Sequence, residues 1–220
     1  IAFCSFGLGG LLLRLIYFPL LDLFVRDATR KSRLARTMVR RSFAAFIEWM
    51  RVLGILRYRV VGAERLRRGG LLILANHPTL IDVVFPVSLV DNADCVVKAG
   101  VLTNPFWGMI TRTADYLLNE DLGALLAEVS ARLHSGRTVI LFPEGTRTAP
   151  GSSPALGTVA SLIAVRTGCQ LLPVVITCTP PTLHKHLPWY RIPERRVDLR
   201  LRLCTPWQVM RTEGSAGEQR

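Results

Sequence analysis

The order of apolar and polar residues changes character near residue 57. Residues 1–13 carry no charge, and after Arg14 the apolar run resumes as far as Val25. Residues 26–53 repeat apolar positions at roughly helical spacing, which predicts a long amphipathic helix. From Arg57 onward, short strand-like runs alternate with helix-like runs. The pattern therefore predicts an N-terminal helical segment followed by an α/β domain.

The alternating part of the chain predicts an α/β fold, a mixed sheet flanked by helices. The strand candidates are 57–62, 71–76, 95–98, 116–118, 138–142, 171–177 and 197–204. The helix candidates are 79–90, 101–112, 121–135 and 156–167. We expect three parts, namely membrane-anchoring helices over 1–56, the α/β domain over 57–211 and a disordered tail over 212–220.

The charge of the chain is placed unevenly. The protein has 220 residues, a formal charge of +12 and 50% hydrophobic residues. Residues 1–70 hold 14 Lys and Arg against 4 Asp and Glu, whereas residues 71–220 hold 14 against 12. A basic excess beside the most apolar stretch favours an anionic membrane surface over nucleic acid as the partner. A solvated basic helix, or one packed on the domain, is the alternative.

The N-terminal apolar run has several interpretations. A membrane-spanning helix needs roughly 20 apolar residues. Residues 1–13 are fewer, so they are expected to be part of a longer span or an anchor lying on the membrane. Arg14 in mid-run and the lack of an A-x-A site argue against a cleaved signal peptide. We expect the protein at the cytoplasmic face of the inner membrane.

The cysteine and histidine patterns predict neither a metal site nor a cofactor. The five cysteines form no C-x-x-C pair, which favours a reduced, cytoplasmic setting. The run His184-Lys185-His186 lies in a Pro-rich loop without a carboxylate or Cys ligand close by.

Two polar blocks follow strand-like runs directly. Asn76-His77-Pro78-Thr79-Leu80-Ile81-Asp82 follows residues 71–75, and Phe142-Pro143-Glu144-Gly145-Thr146-Arg147 follows residues 138–141. In open α/β sheets, ligands bind outside the carboxyl ends of the strands. Each block is therefore expected to contribute to one site.

The first block predicts a general base. Pro78 suits the first position of a helix, which would place His77 at the strand-to-helix turn and Asp82 about one turn in. Asp82 would then accept a hydrogen bond from one ring nitrogen and leave the other for a hydroxyl proton. A capping histidine is the structural alternative. No G-x-S-x-G pattern is present, so direct attack of a hydroxyl on a thioester is the simplest chemistry.

The two blocks together resemble the signature motifs of the glycerolipid acyltransferases, typified by 1-acylglycerol-3-phosphate acyltransferase. Leu172-Pro173-Val174-Val175 resembles a later motif of that family, so the resemblance covers about residues 60–180. It implies that His77 is the base and Asp82 its partner. It also implies that Glu144, Gly145, Thr146 and Arg147 bind the acceptor. Lys98 is expected to bind the acceptor phosphate, as a Lys in this region does in some relatives. Asn119 is a further expected acceptor contact, although it brings no charge.

The expected reaction moves a fatty acyl group from acyl-CoA or acyl carrier protein to 1-acylglycerol-3-phosphate, giving phosphatidate. Many relatives carry an Arg where Asn119 stands and a basic residue where Leu156 precedes Gly157. The smaller number of cations leaves a lyso-aminolipid of the lyso-ornithine type open as acceptor. A thioesterase, which would use water as the acceptor, and a non-catalytic membrane-surface binding protein are the further alternatives.

Overall fold

The N-terminal part of the chain is helical. The computed structural model describes residues 2–104, 107–153, 156–185, 187–188 and 190–210. Its first elements are α1 (Ala2–Leu12), a π-helical turn (Leu13–Tyr17), α2 (Phe18–Phe24) and α3 (Ala28–Val52). The continuous stretch Ala2–Phe24 is long and apolar enough to cross a membrane, and 11% of its most apolar window is buried. The predicted tail over 212–220, together with His186, lies outside the described residues.

Helix α3 is packed on the domain and is also basic on its outer side. Its buried positions recur about every four residues, and they are Ala35, Arg36, Val39, Phe43, Ile47 and Met50. The buried Arg36 donates through Nε to Asn92 Oδ1 at 2.7 Å and through Nη1 to the Ala114 carbonyl at 2.7 Å. Arg40 also pairs with Asp91 at 2.8 Å. Arg36 and Arg40, two basic residues of the segment expected to lie on anionic lipid, therefore hold the helix on the domain. The exposed basic residues over 26–41 are Arg26, Arg30, Arg33 and Arg41.

The strands form one mixed sheet, as predicted. The strands are β1 (Leu56–Val61), β2 (Leu71–Ala75), β3 (Asp94–Val97), β4 (Leu117–Leu118), β5 (Val139–Leu141), β6 (Gln170–Thr179), β7 (Val197–Leu203) and β8 (Trp207–Gln208). Their order is β1-β7-β6-β2-β5-β3-β4, with β8 beside β6. Neighbours are parallel except that β7 and β8 run antiparallel to β6. The carboxyl ends of β2 to β6 therefore lie at one edge of the sheet.

Helices cover both faces of the sheet. The remaining helices are α4 (Val84–Leu89), α5 (Trp107–Thr113), α6 (Leu122–His134) and α7 (Val159–Thr167), with 3-10 turns at Ala63–Arg67 and Ala99–Thr103. Alternate residues of β2 enter two separate cores. Ile73 joins the core that holds α3 and α4, whereas Leu72 joins the core under α6 and α7.

The predicted helices are shorter than expected, and the one over 156–167 begins only at Val159. The predicted helix over 79–90 begins only at Val84, because residues 79–83 form turns. The predicted helix over 101–112 is divided into the 3-10 turn Ala99–Thr103 and α5. The short strand β8 was not predicted from the sequence pattern.

Candidate active site

Four strand ends bring most of the predicted site residues to one edge of the sheet. His77 follows β2, Lys98 follows β3, and the second polar block follows β5. Asn119 follows β4, and its backbone N–H donates to the Val97 carbonyl at 2.9 Å. Parallel pairing of these strands therefore places the polar residues on the side where α/β sheets bind ligands.

His77 and Asp82 face each other directly. His77 Nδ1 lies 2.8 Å from Asp82 Oδ1, and the Asp82 side chain is fully buried whereas that of His77 is 21% exposed. Both of these atoms are buried and have no other hydrogen-bond partner among the described residues. A carboxylate at Nδ1 favours the tautomer with the proton on that nitrogen. His77 Nε2 is then the ring atom that can accept a proton from a substrate.

The turn between β2 and α4 explains how five residues of separation can form this pair. Asp82 Oδ2 accepts from the Thr79 N–H at 2.9 Å, so the carboxylate closes the turn with one oxygen and meets His77 with the other. Asp82 therefore lies before the helix, and the expected position of Pro78 at the start of a helix is wrong. Burial raises the pKa of Asp82, while the bond to His77 and the backbone N–H groups oppose that rise.

Asn76 fixes the end of β2 against β6. Its Nδ2 donates to the Ile176 carbonyl at 2.9 Å, and its Oδ1 accepts from the Ile176 N–H at 2.6 Å. The side-chain amide thus continues the strand pairing one step beyond Ala75. Because His77 is the next residue, this contact sets where the turn from His77 to Asp82 begins. The role of Asn76 was missed in the sequence, although an Asn directly after a buried strand was a visible signal.

Glu144 joins the two polar blocks. Its Oε1 accepts from the His77 backbone N–H at 3.1 Å, and its Oε2 accepts from the Thr148 hydroxyl. The Thr148 N–H in turn donates to the His77 carbonyl at 2.9 Å. The predicted acceptor-binding carboxylate is therefore engaged with the protein backbone. Thr148, which follows Arg147 directly, is the second residue that the sequence argument missed.

Gly145 lies beside Lys98. Its φ is +61°, and a Cβ placed there would lie 3.8 Å from Lys98 Cε and 4.0 Å from Lys98 Nζ, which is ordinary van der Waals contact. The left-handed backbone is therefore what favours glycine at this position. Lys98 therefore lies beside the second block, and its expected role in binding the acceptor stays a prediction.

Arg147 is half-buried and partly engaged. Its Nη1 donates to the Leu183 carbonyl at 2.7 Å, which joins the second block to the loop between β6 and β7. A guanidinium has five N–H donors, so this bond leaves others for an anion. Thr146 is exposed beside it. Asn119 is exposed at the edge, and among the described residues its side chain has no hydrogen bond to another predicted site residue.

An apolar cavity begins at the turn between His77 and Asp82. Its volume is about 580 Å³, and it extends from Leu80 and Ile81 to the N-terminal helix α1. Among the residues that line it are Phe3, Phe6, Phe46 and Met50. A cavity with this apolar lining suits a long hydrocarbon chain.

Residues 57–177 match the family model described as Acyltransferase, which is more than half of the chain. The chain belongs to the acyltransferase family. This confirms the predicted resemblance, and the matched range contains both polar blocks and the Pro173 motif.

Two individual proteins are similar to this member of the acyltransferase family. It is 27% identical over 143 residues to a 1-acyl-sn-glycerol-3-phosphate acyltransferase of Pseudomonas aeruginosa, a match that covers 60% of this chain and 54% of that protein. The chain thus spans about half the length of this curated relative.

A solved structure shares the fold. The crystal structure of the 1-acyl-sn-glycerophosphate acyltransferase PlsC from Thermotoga maritima aligns with a TM-score of 0.63 and 22% identity. The alignment covers 96% of this chain and 86% of that one. The predicted fold class, a mixed sheet flanked by helices, is therefore confirmed.

Proposed function

We propose that this protein transfers a fatty acyl group from a thioester donor to the free hydroxyl of 1-acylglycerol-3-phosphate, which gives phosphatidate. The observation that carries the proposal is the His77–Asp82 pair, which lies at the same sheet edge as Lys98 and Arg147. The similarity to the Pseudomonas aeruginosa acyltransferase supports it. A non-catalytic membrane-surface protein would have no use for a buried carboxylate that orients a partly exposed histidine.

His77 performs the proton transfer in this reaction. Nε2 takes the proton of the acceptor hydroxyl while that oxygen attacks the thioester carbon. The new C–O bond forms, the C–S bond breaks, and the thiol leaves with the proton that His77 held. Asp82 stabilises the imidazolium that exists between the two transfers. An orienting base of this kind typically contributes about 10²- to 10⁴-fold to the rate.

Direct transfer is favoured over a cysteine intermediate. Cys178 is half-buried, and burial raises the pKa of its thiol, with a smaller rise from the Asp82 charge and an opposing effect of the Thr182 backbone. A raised pKa leaves little thiolate, which is the nucleophilic form. Cys178 is therefore a poor candidate for an acyl-enzyme.

Lys98 and Arg147 are proposed to hold the acceptor phosphate, with Gly145 and Thr146 offering a backbone N–H and a hydroxyl. A charge-assisted contact contributes about 1.5–3 kcal/mol. Arg147→Ala is therefore expected to lower kcat/KM for lysophosphatidate roughly 10- to 150-fold. Arg147→Lys is expected to be impaired as well, because it cannot bind phosphate and the Leu183 carbonyl with one planar fork.

An assay with two lysolipid acceptors decides which lipid is the substrate. A lyso-aminolipid without phosphate is the second candidate, favoured by the uncharged Asn119 and by Leu156, which is 68% exposed where a cation would be expected. Purified protein is given labelled acyl-CoA or acyl carrier protein with either lysolipid. Preference for the phosphate-free acceptor, with equal loss on both in Arg147→Ala, contradicts the phosphate site.

The N-terminal helices are proposed to bind the cytoplasmic face of an anionic membrane. Exposed apolar side chains on Ala2–Phe24 include Leu8, Leu15, Leu23 and Phe24, and exposed arginines of α3 follow them. Because Phe43, Ile47 and Met50 of α3 belong to the core, removing residues 1–56 would unfold the domain. Substitutions on the full chain are therefore the appropriate test.

Vesicle binding of the full chain tests this surface. Leu15→Asp with Leu23→Asp is expected to abolish sedimentation with anionic vesicles, since charged groups disfavour apolar insertion. Leu122→Asp, at an exposed leucine of α6, is the control and is expected to sediment like the parent. Unchanged sedimentation of the double variant contradicts the proposed surface.

A further inference from the structure

An arginine-rich cavity, called the arginine cavity below, lies beside strands β1, β7 and β6. It is on the face of the sheet opposite α3. Its volume is about 370 Å³, and its lining includes Arg57, Arg195, Arg196, Arg200, Thr177 and Thr179. Leu56, Ile176 and Leu199 enter the core under α3, so their strand neighbours point to the other face. The side chains of Arg57 and Arg200 are 65% and 67% exposed, which shows that helices α6 and α7 do not cover this part of the sheet.

The arginine cavity begins close to the turn between His77 and Asp82. Thr177 directly follows Ile176, the residue that Asn76 holds through two hydrogen bonds. Arg200 is the strand partner of Thr177. The cavity is thus one strand residue away from the contact that positions His77.

Positive charge is in surplus in this cavity. Asp198 is the acidic residue of its lining, and it pairs with Arg57 at 3.2 Å and with Arg200 at 2.9 Å. Arg196 donates to the Leu56 carbonyl at 2.9 Å. One carboxylate among four guanidinium groups leaves several N–H donors for a ligand with more than one phosphate.

Shared lining residues link the arginine cavity to the apolar cavity. A third cavity of about 550 Å³ shares Pro180 and Arg195 with the former and Thr182 and Ile192 with the latter. The three cavities follow the loop between β6 and β7. Together they suit a long molecule with a strongly anionic end and an apolar end.

We propose that the arginine cavity binds the phosphorylated nucleotide end of coenzyme A, so that acyl-CoA is the donor. The proposal rests on the proposed acyl transfer. Coenzyme A carries a 3′-phosphate and a diphosphate on its adenosine, at the far end of the arm that bears the thioester. A carrier protein presents the same arm without the nucleotide, so the arginine cavity distinguishes the two donors.

Paired thioesters test the site. Acyl-CoA is compared with acyl-pantetheine, which has the arm but no nucleotide or phosphate. Arg57→Gln with Arg200→Gln is expected to raise KM for acyl-CoA about tenfold, roughly threefold for each exposed contact. Both residues line the arginine cavity, and neither lines the third cavity. KM for acyl-pantetheine is expected to stay within about twofold of the parent, because those arginines do not contact the arm.

A matched double variant controls for net charge. Arg59 and Arg202 lie on the same sheet face and are exposed, but neither lines the cavity. Arg59→Gln with Arg202→Gln removes the same charge and is expected to keep the parent KM. Adenosine 3′,5′-bisphosphate is expected to compete with acyl-CoA in the parent and in this control. In the cavity variant its inhibition constant is expected to rise about tenfold.

Several results overturn the proposal. Equal loss with both thioesters, or no loss with either, removes the nucleotide site. A rise in KM confined to acyl carrier protein assigns the surface to an acidic protein instead. If the parent transfers acyl groups from no thioester to any lysolipid, the proposed function fails. Calorimetric binding of adenosine 3′,5′-bisphosphate then still decides the cavity, and its absence from the parent overturns the inference.

Discussion

Glu144 provides the sharpest test of how the site is assembled. If its carboxylate holds the two polar blocks together, substitution will change stability and turnover. If it binds the acceptor, substitution will change the KM of the acceptor. The hydrogen bonds from the His77 N–H and the Thr148 hydroxyl favour the first role.

The size of the effect follows from these two bonds. Glu144 is half-buried, so each donor left unpaired in Glu144→Ala is assigned the lower part of the usual cost, about 1–2 kcal/mol. The sum of about 2–4 kcal/mol corresponds to a fall in Tm of roughly 4–16 °C for a chain of this size. Glu144→Gln retains one acceptor oxygen and is expected to lose about half as much.

Thermal unfolding and steady-state kinetics on the same preparations check the prediction. We expect kcat of Glu144→Gln to fall at least tenfold, because His77 loses its fixed backbone, while KM for the acceptor changes less than threefold. Glu120→Gln, an exposed carboxylate at the same sheet edge, is the control for charge. A normal Tm with a large rise in acceptor KM would refute the tethering argument and restore Glu144 to the acceptor site.

Three other predictions concern Asn76, His77 and Asp82. His77→Ala is expected to remove nearly all acyl transfer with the circular dichroism spectrum retained, and Asp82→Asn to lower kcat about 10²-fold or more; a folded, active His77→Ala would exclude the mechanism. Burial raises the pKa of Asp82 in the folded protein, so the carboxylate destabilises the fold by its full amount above that raised pKa. Below the ordinary pKa of 3.8 the group is protonated in both the folded and the unfolded state, and this destabilisation is absent. Urea unfolding is therefore expected to show Asp82→Asn at least as stable as the parent at pH 8, with the difference shrinking on acidification; a parent that is more stable at pH 8 would contradict this. Asn76→Asp is expected to lower Tm more than Asn76→Ala, because a carboxylate would face the Ile176 carbonyl, and the reverse order in a thermal melt would count against the pairing.

The sequence predicted those features that depend on local pattern. Strand-like runs followed by polar residues predicted the sheet edge, and Lys98 and Gly145 are neighbours there. The start of α4 was wrong, because the Asp82–Thr79 bond replaces the first helical turn. Asn76 and Ile176 are 100 residues apart in sequence, so no local pattern could pair them. The same holds for Arg36, whose partner Ala114 is 78 residues away and which the pattern placed on a lipid-facing surface.

The packing of α3 into the core affects how substrate reaches the site. Helices α1 and α2 are joined to α3 by residues 25–27, and α3 is held by Arg36 and by its own core residues. If α1 and α2 bind the membrane as proposed, they are connected directly to a helix of the core and not through a flexible linker. The tilt of α1 and α2 in the membrane then determines the height and orientation of His77 above the bilayer. A lysolipid then reaches the site by two-dimensional diffusion at one fixed depth, and acceptors are selected by how far their hydroxyl lies below the headgroup plane.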